Sequence, residues 1–336
     1  MRQAFVVPDL DGPATGGTLY NARLIRALTS LGCDVMVSAG ATPLLDALGE
    51  VDCVWVDSLY LNQVPILRRR VPDAAALGLL VHYLPTLLEQ RAPLSPADLS
   101  EAERQALACA GRLLTPSPFM AELLAGLVPN HVPIDVVEPG CEVQLAPWPP
   151  RASGRVSVLM VCNLLPNKRV AEFLEALSRS VVPANLALCI AGSADLDAAY
   201  AARCLKLVHD HPALRAQVMF AGPVDPAQLQ TWYANQDLLL SASLFESYGM
   251  ALAEARAAGL PILACTGGNV ANLVDENAGG ELSASPEQLA CSLLALCASP
   301  EELARRRHLA RIRAPVPRSW QLAATEFAEA LGCARR

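Results

Sequence analysis

The sequence predicts an α/β protein made of two doubly wound parallel-sheet domains in tandem. Three observations point there. Apolar runs of strand length alternate with helical stretches from end to end, as expected when helices cover both faces of a parallel sheet. The 336 residues exceed one typical domain. They suffice for two of about 150 each, both large enough for a core of their own. Between the two halves, Pro147, Pro149, Pro150, Ser153 and Gly154 cluster in Gln144–Gly154, where the alternation stops and then restarts.

The expected strands of the first half are Ala4–Val7, Val35–Ser38, Cys53–Val56, Ala76–Val81, Leu113–Thr115 and Ile134–Val137. Between the first two, Leu24, Ile25, Leu28 and Leu31 share one helical face, and Gly32 supplies the stop. After the fifth strand, Ser117 reads as a helix N-cap. The second half offers Val156–Val161, Leu186–Ala191, Val218–Ala221, Leu238–Ser241 and Leu260–Ala264, with a helix over Pro226–Ala234. Ser319-Trp320 opens a final helical stretch, Leu322–Leu331.

Composition narrows the function classes. Hydrophobic residues make up 53% of the chain and charged residues 18%, so a well-buried globular protein is expected. A net charge of −7 argues against nucleic acid as the main partner. No apolar run approaches the roughly 18 residues of a membrane span. The first strand lacks the long apolar core and cleavage site of a signal peptide, so a cytoplasmic protein is expected. The eleven cysteines show no C-x-x-C pair and read as small buried thiols, with neither a disulfide framework nor a metal site.

The densest chemistry lies in Phe245-Glu246-Ser247-Tyr248-Gly249-Met250, followed by Glu254. Glu246 falls in a loop after the strand Leu238–Ser241, beside a helix start whose free N–H groups attract anions. Glu254 sits about 7.5 Å further along that helix, at 1.5 Å per residue. Two acceptors so spaced could grip two hydroxyl groups of one ligand with a phosphate between them. That describes a nucleotide sugar; a solvated Glu and an ordinary helix-surface Glu are the bland alternative, the commoner case for an isolated E-x7-E, so the surrounding sequence must decide. Gly16-Gly17, before the first helix, lets backbone approach a ligand, although a plain strand-to-helix turn uses the same residues. His82 ends the fourth strand, where ligands of open α/β sheets bind; a structural histidine is the bland alternative. Two Asp-x-Asp triplets, Asp9-Leu10-Asp11 and Asp195-Leu196-Asp197, could hold a cation but fit turn and cap positions better, so no metal ligand is assigned. Arg68-Arg69-Arg70 reads as a solvated helix end, with membrane docking as the rival use.

The stretch Ser243-Leu244-Phe245-Glu246-Ser247-Tyr248-Gly249, continued by Glu254-Ala255-Arg256-Ala257-Ala258-Gly259-Leu260-Pro261-Ile262 and Thr266-Gly267-Gly268-Asn269, resembles the Glu-x7-Glu region of the retaining glycosyltransferases of family 4. The resemblance implies the GT-B fold: two Rossmann-like doubly wound domains facing across a cleft. Residues 1–147 would bind the acceptor, 148–318 the nucleotide sugar, and a helix within 319–336 would cross back to the first domain. It further implies that Glu246 holds sugar hydroxyls, Glu254 the ribose, and His82 the sugar being transferred. The family pattern near Lys168 is roughly Gly-Arg-x-x-x-x-Lys-Gly, and its cations bind the diphosphate. This chain keeps Lys168 but has Cys162, Asn163 and Arg169 at the other positions, so half of the clamp is replaced. Gly16, Gly17, Asn163, Arg169, Gly222, Val224, Ser247, Tyr248, Gly249 and Met250 complete the implied donor site. The expected reaction is retaining transfer from a nucleoside diphosphate sugar, UDP favoured, to a small-molecule or glycan acceptor, with no cofactor beyond the donor. A nucleotide-sugar epimerase, a phosphorylase-like enzyme and a non-catalytic nucleotide-sugar-binding partner are the rivals, and a homodimer stays open.

Overall fold

A computed structural model describes residues 2–71, 77–89, 95–147 and 154–331. The expected strand residue Ala76, linker residues 148–153 and the tail after residue 331 lie outside them. The chain forms two compact units, one of Met1–Gly140 with Arg318–Arg336, the other of Cys141–Pro317. The division thus falls slightly ahead of the 147/148 boundary read from the proline cluster.

The first unit holds a six-stranded sheet of β1 (Arg2–Val7), β2 (Asp34–Ala39), β3 (Cys53–Asp57), β4 (Leu77–Leu80), β5 (Arg112–Thr115) and β6 (Ile134–Val136). The spatial order is β2-β1-β3-β4-β5-β6. Every ladder is parallel. Strands β3 and β4 are buried along their whole length, as parallel strands covered on both faces must be. Trp55 of β3 faces Gly78 of β4 and donates its indole N–H to Gln3 Oε1 at 3.0 Å. The last helix, Trp320–Ala330, is capped by Ser319 and belongs to this unit. Its Phe327 packs on Phe5 and Trp55, and its Trp320 meets the edge of Tyr20.

The second unit repeats the plan with β7 (Val156–Val161), β8 (Leu186–Ala191), β9 (Val218–Gly222), β10 (Leu238–Ser241), β11 (Ile262–Cys265) and β12 (Glu281–Ser283). Their order is β12-β11-β10-β7-β8-β9, again parallel throughout. Alternate residues feed two cores. Val156, Val158, Met160, Leu238, Leu240 and Leu263 face one; Leu159, Leu239, Ile262 and Ala264 face the other. Two details differ from expectation. β11 starts at Ile262 instead of Leu260, because the Leu260 N–H still bonds to Ala255 O at 2.9 Å and closes the preceding helix. β12 was not foreseen: three residues, one of them charged, make no apolar run.

Candidate functional site

In an open parallel sheet, ligands bind beyond the carboxyl ends of the strands where the strand order reverses, because the two loops there part to either side. In the second unit the chain runs outward through β7, β8 and β9, then returns to the other flank of β7 with β10. The reversal therefore lies between β7 and β10. Lys168 follows β7 and Glu246 follows β10, so this point brings them together.

Lys168 Nζ bonds to Glu246 Oε1 at 2.6 Å, and both side chains remain partly open, at 21% and 18% exposure. Burial alone would favour neutral Lys168, but the Glu246 carboxylate and its hydrogen bond outweigh it, and the amine is held above its ordinary range. The two loops are also joined by backbone, Leu244 N–H donating to Asn167 O at 2.8 Å. From the other side, Asn269 N–H donates to Glu246 O at 2.8 Å and Asn269 Nδ2 to Tyr248 O at 2.8 Å. The Thr266–Asn269 turn noted in the sequence thus holds the Glu246 loop in place.

Gly249 caps the helix Met250–Ala257 with φ 94°, a left-handed conformation. A Cβ there would also come within 2.9 Å of Leu273 Cδ1. Both facts call for glycine. No side chain caps this helix start and its first turn carries no acidic residue, so it offers its leading N–H groups and positive dipole end to an anion. Ser247, Tyr248 and Met250 are half-buried around it.

Glu254, the fifth residue of that helix, is 7% exposed. Its Oε2 accepts the Tyr233 hydroxyl at 2.8 Å. Burial first, and then the nearby Glu254 charge, push the Tyr233 phenol well above its ordinary range, so it stays a donor. Nothing in the sequence had singled out Tyr233. Cys162 lies beside the Lys168–Glu246 pair, where burial pushes its thiol up to about 12 and keeps it neutral.

The remaining expected residues separate. Asn163 Oδ1 accepts the Ser193 N–H at 2.9 Å, tying the end of β7 to the end of β8. Arg169 has φ 53°, the only non-glycine residue at positive φ among those described. Its charge is felt at Glu287, whose carboxyl is held low first by Ser285 and partly by Arg179 and Arg169. It also opposes the burial that pushes Cys265 up to about 11. Gly222 and Val224 lie at the end of β9, the sheet edge two strands from β7. Three of the four Asp-x-Asp carboxylates serve local structure. Asp9 Oδ1 accepts the Asp11 N–H at 3.1 Å, Asp195 Oδ2 the Ser193 hydroxyl at 3.0 Å, and Asp197 Oδ1 the Tyr200 N–H at 2.9 Å.

In the first unit the order reverses between β1 and β3. Gly16 and Gly17 open the helix that follows β1, and His82 follows β4. A Cβ at Gly17 would stand 3.3 Å from His82 Cδ2, so the bare glycine lets the ring lie on the helix start. His82 also meets two buried partners, Asn21 and Asp57, that sequence reading passed over. No helix among the described residues is long and apolar enough to cross a membrane.

Comparison with known proteins agrees with this layout. Residues 155–299 match the model of the family described as glycosyl transferases group 1, somewhat under half of the chain. A D-inositol 3-phosphate glycosyltransferase of Xylanimonas cellulosilytica is 26% identical over 234 residues, covering 63% of this chain and 55% of its own. A second protein of that description, from Catenulispora acidiphila, is 35% identical over 89 residues, 26% of this chain and 21% of its own. The chain thus matches little more than half the length of these relatives at most. Among solved structures, sucrose-phosphate synthase of Thermosynechococcus elongatus superposes with TM-score 0.76 at 16% identity over 98% of both chains. Anabaena HepE in complex with UDP and glucose superposes with TM-score 0.76 at 16% identity over 99% of both. The fold is GT-B, and the match to the second unit supports a glycosyltransferase.

Proposed function

We propose that the protein is a retaining glycosyltransferase of the family 4 type that moves a sugar from a nucleoside diphosphate donor, UDP favoured, to a small-molecule or glycan acceptor in the cytoplasm. One observation carries this reading: the Lys168–Glu246 pair straddles the strand reversal of the second unit beside an uncapped helix start. A cation and a positive helix end together suit a diphosphate leaving group, and the partly open carboxylate suits sugar hydroxyls. Lys168 and the N–H groups after Gly249 would take up the negative charge that grows on the leaving phosphate. Glu246 would orient the sugar and Glu254 the ribose, and in the first unit His82 would meet a ligand hydroxyl. The bond from the anomeric carbon to the phosphate oxygen breaks as the acceptor oxygen bonds to the same face. The acceptor proton passes to the departing phosphate, so no protein nucleophile is required, in keeping with the neutral Cys162 thiol. Metal-independent transfer is in keeping with three of the four Asp-x-Asp carboxylates, Asp9, Asp195 and Asp197, being engaged in turns and a helix cap.

Thermal-shift screening of UDP, GDP and ADP sugars, followed by product analysis with an acceptor panel, tests the reading. A UDP-sugar should stabilise the protein and yield a product of retained anomeric configuration, with rates unchanged by chelator. Glu246→Gln should keep the fold and lower transfer about ten- to a hundredfold, the worth of one hydrogen bond to a charged group. Near-normal turnover in that variant, an inverted product, or binding without transfer would each sink the assignment.

A further inference from the structure

Three polar side chains of the first unit converge at its strand reversal. Asp57 ends β3, Asn21 lies in the second turn of the helix Gly16–Ser30, and His82 follows β4. Asp57 and Asn21 are each 1% exposed. Asn21 Nδ2 bonds to Asp57 Oδ2 at 2.5 Å. His82 Nε2 lies 2.9 Å from Asn21 Oδ1 and 3.4 Å from Asp57 Oδ2.

The proton positions follow from who can donate. Burial disfavours an ionised Asp57, yet the His82 charge and hydrogen bonds from His82, the Leu59 N–H and Asn21 outweigh it and hold the carboxyl below its ordinary range. A carboxylate only accepts. Asn21 must therefore turn its NH2 toward Asp57, which turns its carbonyl oxygen toward the imidazole. Two acceptors now face Nε2, so Nε2 bears hydrogen. Nδ1 has no hydrogen-bond partner among the described residues. The ring is also fixed sterically and through its backbone. Tyr20 meets it edge-on with centroids 5.0 Å apart, Gly17 lies against Cδ2, and Ser58 Oγ accepts the His82 N–H at 3.2 Å.

We propose that Asp57 and Asn21 are positioning residues that grip the His82 ring by its Nε2–H and so present Nδ1 as the atom that meets a ligand hydroxyl. The proposal rests on the ligand contact assigned to His82 above, and extends it to two residues and one nitrogen. A buried carboxylate behind a histidine fixes both tautomer and orientation, which removes the freedom a substrate would otherwise have to restrict.

The test begins on the free wild-type protein, with no donor present. Nitrogen-15 NMR on the alkaline side of the His82 titration reads the tautomer directly, and the signal lost in His82→Ala identifies it among five histidines. Hydrogen on Nε2 is expected; a neutral ring with hydrogen on Nδ1 would overturn the proposal whatever the enzyme transfers. Asp57→Asn should then yield mixed tautomers and lower kcat/KM about tenfold, while the same change in a His82→Ala background alters it less than about twofold. Equal losses in both backgrounds would reduce Asp57 to a structural role. Should Asp57→Asn fail to fold, Asn21→Ala carries the same cycle, because it removes one acceptor and leaves Asp57 in place.

Discussion

The two units solve one problem in opposite ways. Each places polar groups where its strand order reverses, at the carboxyl ends of parallel strands. In the second unit the groups are a partly open ion pair whose members come from two loops, Lys168 after β7 and Glu246 after β10. In the first unit they are a buried carboxylate and amide that hold a histidine from beneath. The open pair can exchange partners when a ligand brings phosphate and hydroxyl groups. The buried trio cannot, because removing either partner strands the other without water to replace it. On the proposed reading, one unit thus supplies charge that responds to a ligand, and the other supplies a fixed orientation.

The sharpest way to break that contrast is to remove the responsive charge. Lys168→Ala should cost at least about 2–4 kcal/mol of transition-state stabilisation, comparable to losing one strong preorganised donor, with little change in fold. The loss should appear in kcat/KM and in UDP affinity. Silence in both measurements would show that the helix end after Gly249 handles the phosphates alone.

A smaller effect is expected at Glu254 in the helix after Gly249, through its partner Tyr233 on the helix Pro226–Ala234. Tyr233→Phe deletes the hydroxyl on Glu254 Oε2 while keeping the packing of a fully buried ring. A hydrogen bond to a charged group is worth about 1.5–3 kcal/mol, and that loss should appear in urea unfolding. Donor affinity should fall with it, and turnover at saturating donor much less, because the ribose is remote from the broken bond. A fall in turnover alone would place Glu254 nearer the chemistry.

These contrasts also explain what could be read in advance. The second-unit candidate site was legible because its groups lie in compact stretches, Glu246 to Glu254 after β10 and the loop of Lys168 after β7, each between a strand and a helix. Asn21 and Asp57 were not. A lone Asn on an apolar helix face and an Asp at a strand end look like ordinary cap or turn residues, and only tertiary contact joins them across the fold. Tyr233 escaped for the same reason. β12 escaped because a short, partly polar edge strand has no periodicity to detect.

Asn163 sharpens the comparison differently. Its carboxamide oxygen accepts the Ser193 N–H, so in this chain it joins two strands. Arg has no acceptor. Asn163→Arg should therefore destabilise the unit by about 1–3 kcal/mol through the orphaned Ser193 N–H, even if the new charge tightens UDP binding. Tighter binding with undiminished stability would mean that water replaces the lost acceptor.

The smallest expected effect concerns Arg169, and two opposing terms decide it. A left-handed conformation costs a residue with a Cβ about 1–2 kcal/mol, whereas glycine pays about 0.5–1 kcal/mol of extra chain entropy on folding. Arg169→Gly should therefore raise stability slightly, by about 0.5–1 kcal/mol, a rise of a few degrees at most in melting temperature. Glycine is also the residue that the pattern of the resembled family carries here. An arginine retained against that strain is accounted for if its charge serves the donor in place of the cation missing at Asn163. UDP affinity should then fall several-fold in Arg169→Gly while the fold becomes more stable. A more stable protein with unchanged UDP affinity would take Arg169 out of the donor site and leave its charge to Glu287, the carboxyl it already holds down together with Ser285 and Arg179.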